Sequence, residues 1–137
     1  MNKLFTVVIF NKKFFALSET FIYRQVRLLS DIYNILLVGH ERANSFNFPL
    51  YNIPFVKVLQ KPLGVERWMY SLLKILFKCK FLYTLQTRNI LSKIFDGKNT
   101  IVHAHYGWNG IDLLPLCRKY NVPLVVSFHG NDASGWL

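Results

Sequence analysis

The sequence predicts an α/β protein with a doubly wound parallel sheet. Three observations carry this: short apolar runs without polar alternation, helical apolar stripes between them, and their regular succession along the chain. A strand covered on both faces reads as a continuous apolar run. Strands alternating with helices favour parallel pairing through right-handed crossovers. The length of 137 residues suits one core, and an apolar fraction of 52% with 16% aromatics excludes the disordered class.

Residues 4–10 form the first apolar run, ended by the polar turn Asn11, Lys12 and Lys13. Ser18 is placed to cap a following helix, with Glu19 in its first turn and Ile22, Val26 and Leu29 as its buried stripe. Residues 33–39 read as a second strand ending in glycine, and residues 55–60 as a third after a proline-containing segment. Helical patterns cover residues 65–82 and 85–95. A fourth strand spans residues 100–105, a helix residues 110–120 with Pro115 disturbing its early turns, and a fifth strand residues 122–129. No repeat, low-complexity tract or flexible linker divides the chain.

The formal net charge is +10, and its distribution is uneven. Residues 57–98 carry nine bases and two acids, whereas residues 99–137 balance. Cys79 and Cys117 fit neither a disulfide framework nor paired zinc ligands, which points to a reducing, cytoplasmic setting. The first apolar run lacks a small-residue cleavage site, so no signal peptide is expected. The longest apolar stretch, residues 68–85, is interrupted by Lys74, Lys78 and Lys80, so no membrane span is expected either.

In a doubly wound sheet, ligands sit beyond the carboxyl ends of the strands, where strand order reverses. The segments leaving strands one, four and five are therefore the places to look: residues 11–18, 105–107 and 129–132. Neither a dinucleotide fingerprint nor a phosphate-binding P-loop is present. His103 and His105 share one strand face at a spacing used by metal sites, but the carboxylate-rich surroundings of such a site are missing, and no metal is expected. His103 reads as an imidazole hydrogen-bonded within the sheet. His105 lies nearer the strand end, in reach of the crevice. His129 is the leading candidate, followed by Gly130, which lets backbone approach a ligand, and by Asn131 and Asp132, which suit polyols.

Three segments together resemble a known family. Leu17-Ser18-Glu19-Thr20-Phe21-Ile22, Val102-His103-Ala104-His105-Tyr106-Gly107 and the strand ending in His129-Gly130-Asn131-Asp132 are similar to the S-E-T-F-I, H-A-H-F-G and H-G-x-D motifs of family 4 retaining glycosyltransferases. These enzymes serve exopolysaccharide, colanic-acid and O-antigen assembly. The resemblance covers nearly the whole chain and implies the amino-terminal, acceptor-side half of a GT-B fold, in which two Rossmann-like domains face across a cleft. It implies catalytic roles for His129, beside the transferred sugar, and for Asp132. It implies substrate contacts from Ser18, Glu19, Thr20, His105, Gly107, Gly130 and Asn131. The carboxy-terminal nucleotide-sugar domain of that family, with its paired glutamates, has no counterpart here. The chain is therefore expected to be an incomplete or split enzyme, inactive alone. A nucleotide-sugar donor as substrate rather than a resident cofactor, and a separately encoded second domain as partner, follow from the same resemblance.

Between Lys57 and Lys98, basic residues interleave with aromatics. Arg67, Trp68, Lys74, Lys78 and Lys80 would suit an in-plane helix on an anionic leaflet, where each base contributes about 1 kcal/mol. That matches a lipid-linked saccharide acceptor on the inner face of the plasma membrane. The same lysines could equally form a solvated helix face. Nucleic acid is the competing anion, but no nucleic-acid-binding motif supports it. The alternative reading, from another class, is a noncatalytic module that docks on a membrane or a protein partner.

Overall fold

A computed structural model of the chain describes residues 5–50, 52–58, 85–95 and 99–134. In order these form β1 (Thr6–Phe10), β2 (Lys13–Phe14), α1 (Thr20–Ile32), β3 (Asn34–Gly39), β4 (Glu41–Arg42) and β5 (Phe55–Lys57), followed by α2 (Leu85–Phe95), β6 (Thr100–His105), α3 (Gly107–Tyr120), β7 (Leu124–Ser127) and α4 (Asn131–Ser134). Five strands make one sheet in the order β5-β3-β1-β6-β7 with every pairing parallel. The order reverses between β1 and β6, so their carboxyl ends diverge into a crevice.

Both faces of the central strands β1 and β3 are covered, which is why they read as nearly unbroken apolar runs. Val7 and Ile9 of β1, with Ile35 and Leu37 of β3, pack under Ile22 and Val26 of α1. Val8 and Phe10, with Val38, Val102 and Ala104, pack under Leu91 and Phe95 of α2 and Leu113, Leu116 and Cys117 of α3. Burying each such aliphatic or aromatic side chain contributes about 1.5–3 kcal/mol. The architecture is thus a doubly wound, Rossmann-like α/β fold.

Several local expectations need correction. Ser18 is not the cap of α1: Glu19 holds that position, makes no side-chain cap bond, and precedes a first turn with no acidic residue. Its carboxylate instead accepts the backbone N–H of Ala16 at 3.3 Å and a distant tyrosine hydroxyl. Helix α3 starts at Gly107, three residues before the expected start, and continues through Pro115. Proline removes one amide from the helical ladder, but Leu113, Leu116 and Cys117 anchor the helix to the sheet on either side of it. Asn121, with φ of 53°, then ends the helix in a left-handed conformation. Strand β7 is shorter at both ends than expected. The polar turn after β1 also continues into a two-residue parallel pairing, Lys13 with Glu41 and Phe14 with Arg42.

That pairing lets Phe14 and Phe15 turn inward. Both are fully buried and meet Phe48, Phe55 and Tyr23 in an aromatic layer with ring centroids 5.2–6.1 Å apart. The layer braces the loop that carries Asn11 and Lys12 to the crevice. The expected helix over residues 65–82, and Cys79, lie outside the described residues.

Candidate functional site

A cleft of about 700 Å³ opens at the carboxyl ends of β1, β6 and β7. Asn11 and Lys12 leave β1, Ser18, Glu19 and Phe21 surround the start of α1, Tyr106 and Trp108 follow β6, and His129 and Gly130 follow β7. The three segments singled out from the sequence therefore meet on one rim of the sheet.

Their contact is direct. The Tyr106 hydroxyl donates to Glu19 Oε1 at 2.9 Å, joining the β6 exit to the start of α1. Burial first, then this bond and the negative charges of Glu19 and Asp132, push the Tyr106 phenol up to about 12, so it remains a donor. Tyr106 has φ of 71°, a left-handed backbone that a tyrosine tolerates only when its surroundings hold it. Its ring stacks on Trp108 with centroids 4.9 Å apart and planes 6° from parallel. It also meets the His129 ring edge-on at 5.0 Å, while Phe21 packs on His129 at 4.5 Å.

Beneath the rim lies a chain of imidazoles. His103 and His105 alternate to the same face of β6, 4.6 Å apart between ring centroids. His103 Nε2 lies 2.7 Å from the Ser127 hydroxyl, in the within-sheet arrangement expected of it. His105 Nδ1 lies 2.9 Å from His129 Nε2, and the two rings are stacked. Burial, followed by the neighbouring charges of His103 and His129, lowers His105 to about 3. Burial and then His129 likewise lower His103. Both rings are therefore neutral at neutral pH.

Asp132 organises the loop after β7. Its Oδ1 accepts the His129 backbone N–H at 2.5 Å and its Oδ2 accepts that of Gly107 at 2.6 Å. Burial raises the Asp132 carboxyl, but these backbone N–H groups outweigh it, and the net shift is downward. Gly107 also leaves room for Phe128, since a Cβ there would lie 2.6 Å from that ring. Gly130 has φ of 52° and open space where a side chain would stand.

On the opposite wall, Asn109 Nδ2 donates to His105 O at 2.7 Å and to Asn11 Oδ1 at 3.2 Å. Asn11 is 3% exposed and lines the cleft, yet its Nδ2 has no partner, as is true of Asn109 Oδ1. An unpaired buried amide donor beside a cleft suits an incoming oxygen acceptor. Lys12 Nζ is held at 2.9 Å by Asp112.

Of the residues expected to bind substrate, Ser18, Glu19 and Gly130 line the cleft, as does His129. Thr20 is exposed at the start of α1 but is not part of the lining. His105 does not reach the crevice as expected. It is fully buried, because His129 covers its Nδ1 side. Gly107 and Asp132 are partly exposed and are joined by a backbone N–H to carboxylate bond rather than taking part in the lining. The side chain of Asn131, and Arg67, Trp68, Lys74, Lys78 and Lys80, lie outside the described residues.

Phe21, Tyr106, Trp108 and Asn11 were not singled out from the sequence. Their signal was position, within or beside the flagged segments, although nothing local distinguishes them from core residues. Among the described residues, no group of three or more His, Cys, Asp or Glu side chains is arranged to hold a metal ion. No described helix is long and apolar enough to cross a membrane. Comparison with protein-family models, curated proteins and solved structures finds no match to this chain.

Proposed function

We propose that this chain is the acceptor-side domain of a retaining GT-B glycosyltransferase. The reaction moves a hexosyl group from a nucleotide-sugar to a lipid-linked or polysaccharide precursor in exopolysaccharide or lipopolysaccharide synthesis. One observation carries the reading: the three segments that resemble the family's motifs touch each other in a single cleft, through Glu19 with Tyr106 and Tyr106 with His129.

The lining suits a sugar. Flat aromatic faces on Phe21, Tyr106 and Trp108 favour the apolar C–H faces of a pyranose, while the Asn11 amide and the His129 ring supply directional polar contacts. Lys12 and Lys13 also line the cleft, paired with Asp112 at 2.9 Å and Glu41 at 3.4 Å. His129 would orient the transferred sugar and stabilise charge developing on it. A nucleotide-binding domain of the kind the resemblance implies would hold the donor, and the basic residues 67–80 would hold the enzyme at the cytoplasmic face of the membrane.

The test pairs the chain with a complementary nucleotide-sugar-binding domain and follows transfer of labelled hexose to lipid-linked saccharide. His129→Ala should reduce transfer by about 100-fold or more with unchanged circular dichroism. Transfer within a few-fold of the parent would remove His129 from the mechanism. If saccharide acceptors leave the NMR signals of Trp108 and His129 unmoved while single-stranded RNA shifts them, the carbohydrate reading fails.

A further inference from the structure

The buried pair His105 and His129 raises a question of proton placement. Their facing nitrogens, Nδ1 of His105 and Nε2 of His129, are 2.9 Å apart, so one carries the hydrogen and the other accepts it. His105 is fully buried, and its other nitrogen, Nε2, has no partner.

Consider first a hydrogen on His129 Nε2. His105 Nδ1 must then be bare, and a neutral His105 must carry its proton on Nε2, enclosing an N–H without an acceptor. Such orphaned donors are rare in folded proteins because desolvating them costs about 1–3 kcal/mol. In the reverse arrangement His105 donates from Nδ1 to His129 Nε2. What remains enclosed is a bare ring nitrogen, and unsatisfied acceptors are the better tolerated of the two. Charging His105 offers no escape at neutral pH, since its pKa is about 3.

We propose that His105 is a positioning residue that holds His129 as the Nδ1–H tautomer, so that the cleft receives an N–H donor and His129 Nε2 is withheld from chemistry. Phe21 and Tyr106 pack against the His129 ring and oppose the flip that would exchange its nitrogens. His129 then meets an oxygen acceptor on its ligand and does not act as a base through Nε2. The inference needs no assumption about what the cleft binds, so it stands or falls separately from the glycosyltransferase reading.

The experiment records long-range ¹H–¹⁵N correlations of the histidine rings in the full chain without ligand, at mildly alkaline pH where imidazoles are neutral. In the parent, His129 should show a protonated Nδ1 and a bare Nε2, and His105 a protonated Nδ1. His105→Asn, whose amide N–H can stand where the ring Nδ1–H stood, should keep the His129 tautomer. His105→Leu, which offers no donor, should move His129 toward the Nε2–H form that free histidine prefers in water. A protonated Nε2 on His129 in the parent overturns the proposal, whether or not the leucine variant folds. An unchanged tautomer in a folded leucine variant also overturns it.

Discussion

Gly39→Ala should lower stability by about 3 kcal/mol and the melting temperature by about 10 °C, as followed by thermal and denaturant unfolding. Gly39 closes β3 in the core, and a Cβ there would run into the backbone carbonyl of Asn11 and lie 3.1 Å from the Phe14 ring. A flexible side chain could step aside, but this carbonyl is fixed. The amide of Asn11 bonds to Val38 O at 3.2 Å, and the next carbonyl, of Lys12, accepts from His40 at 2.9 Å. Relief must therefore move the end of β1 itself. Since the Asn11 side chain lines the cleft and meets Asn109, ligand affinity should fall together with stability. A melting temperature within 2 °C or so of the parent would show that β1 can yield there at little cost.

Asp132→Asn should loosen the loop after β7. A carboxylate accepts from His129 N–H and Gly107 N–H at once, whereas an amide presents one acceptor and sets an N–H₂ group against the other donor. Losing one charge-assisted bond at this partly exposed position costs about 1.5 kcal/mol. Protection of the His129 and Gly107 amides against hydrogen exchange should thus fall about tenfold. The sign with pH follows from the lowered carboxyl pKa. The folded form holds its proton more weakly than the unfolded chain, so the contribution is full above the unfolded value of about 3.9 and disappears as pH falls through the folded value. The parent loop should loosen in acid and the variant should not show that step. Equal protection in both chains at neutral pH would show that Asp132 is not the anchor.

The sheet was legible because its signals are local. Residues 35–38 are apolar throughout, since Ile35 and Leu37 pack under α1 while Leu36 and Val38 join the core on the opposite face. The stripe Ile22, Val26 and Leu29 meets the sheet as its spacing predicts. The meeting of three strand exits followed from the topology of parallel sheets. What could not be read depends on partners far along the chain. Glu19 has the composition of a first-turn acid, yet its acceptor is taken by a tyrosine 87 residues away. Phe15, at φ of 64°, and Tyr106, at 71°, adopt backbones that neither residue prefers locally, and each meets a ring distant in the chain, Phe48 and His129 respectively. His105 has the right face and the right place on its strand, but His129 covers the side facing the crevice, a fact of packing rather than spacing. The pairing of β2 with β4 spans too few residues to leave a periodic signal.

The two walls of the cleft are joined by amides 98 residues apart, Asn11 and Asn109, and His129 covers one edge of His105. During synthesis, then, the first strand and its helix leave the ribosome long before any pocket exists. Nascent chains would carry Asn11 without its Asn109 partner, and then an uncovered His105 edge, until nearly the whole described sequence has emerged. Recognition of ligand is consequently acquired last, and a chain stalled before β7 would be blind to it.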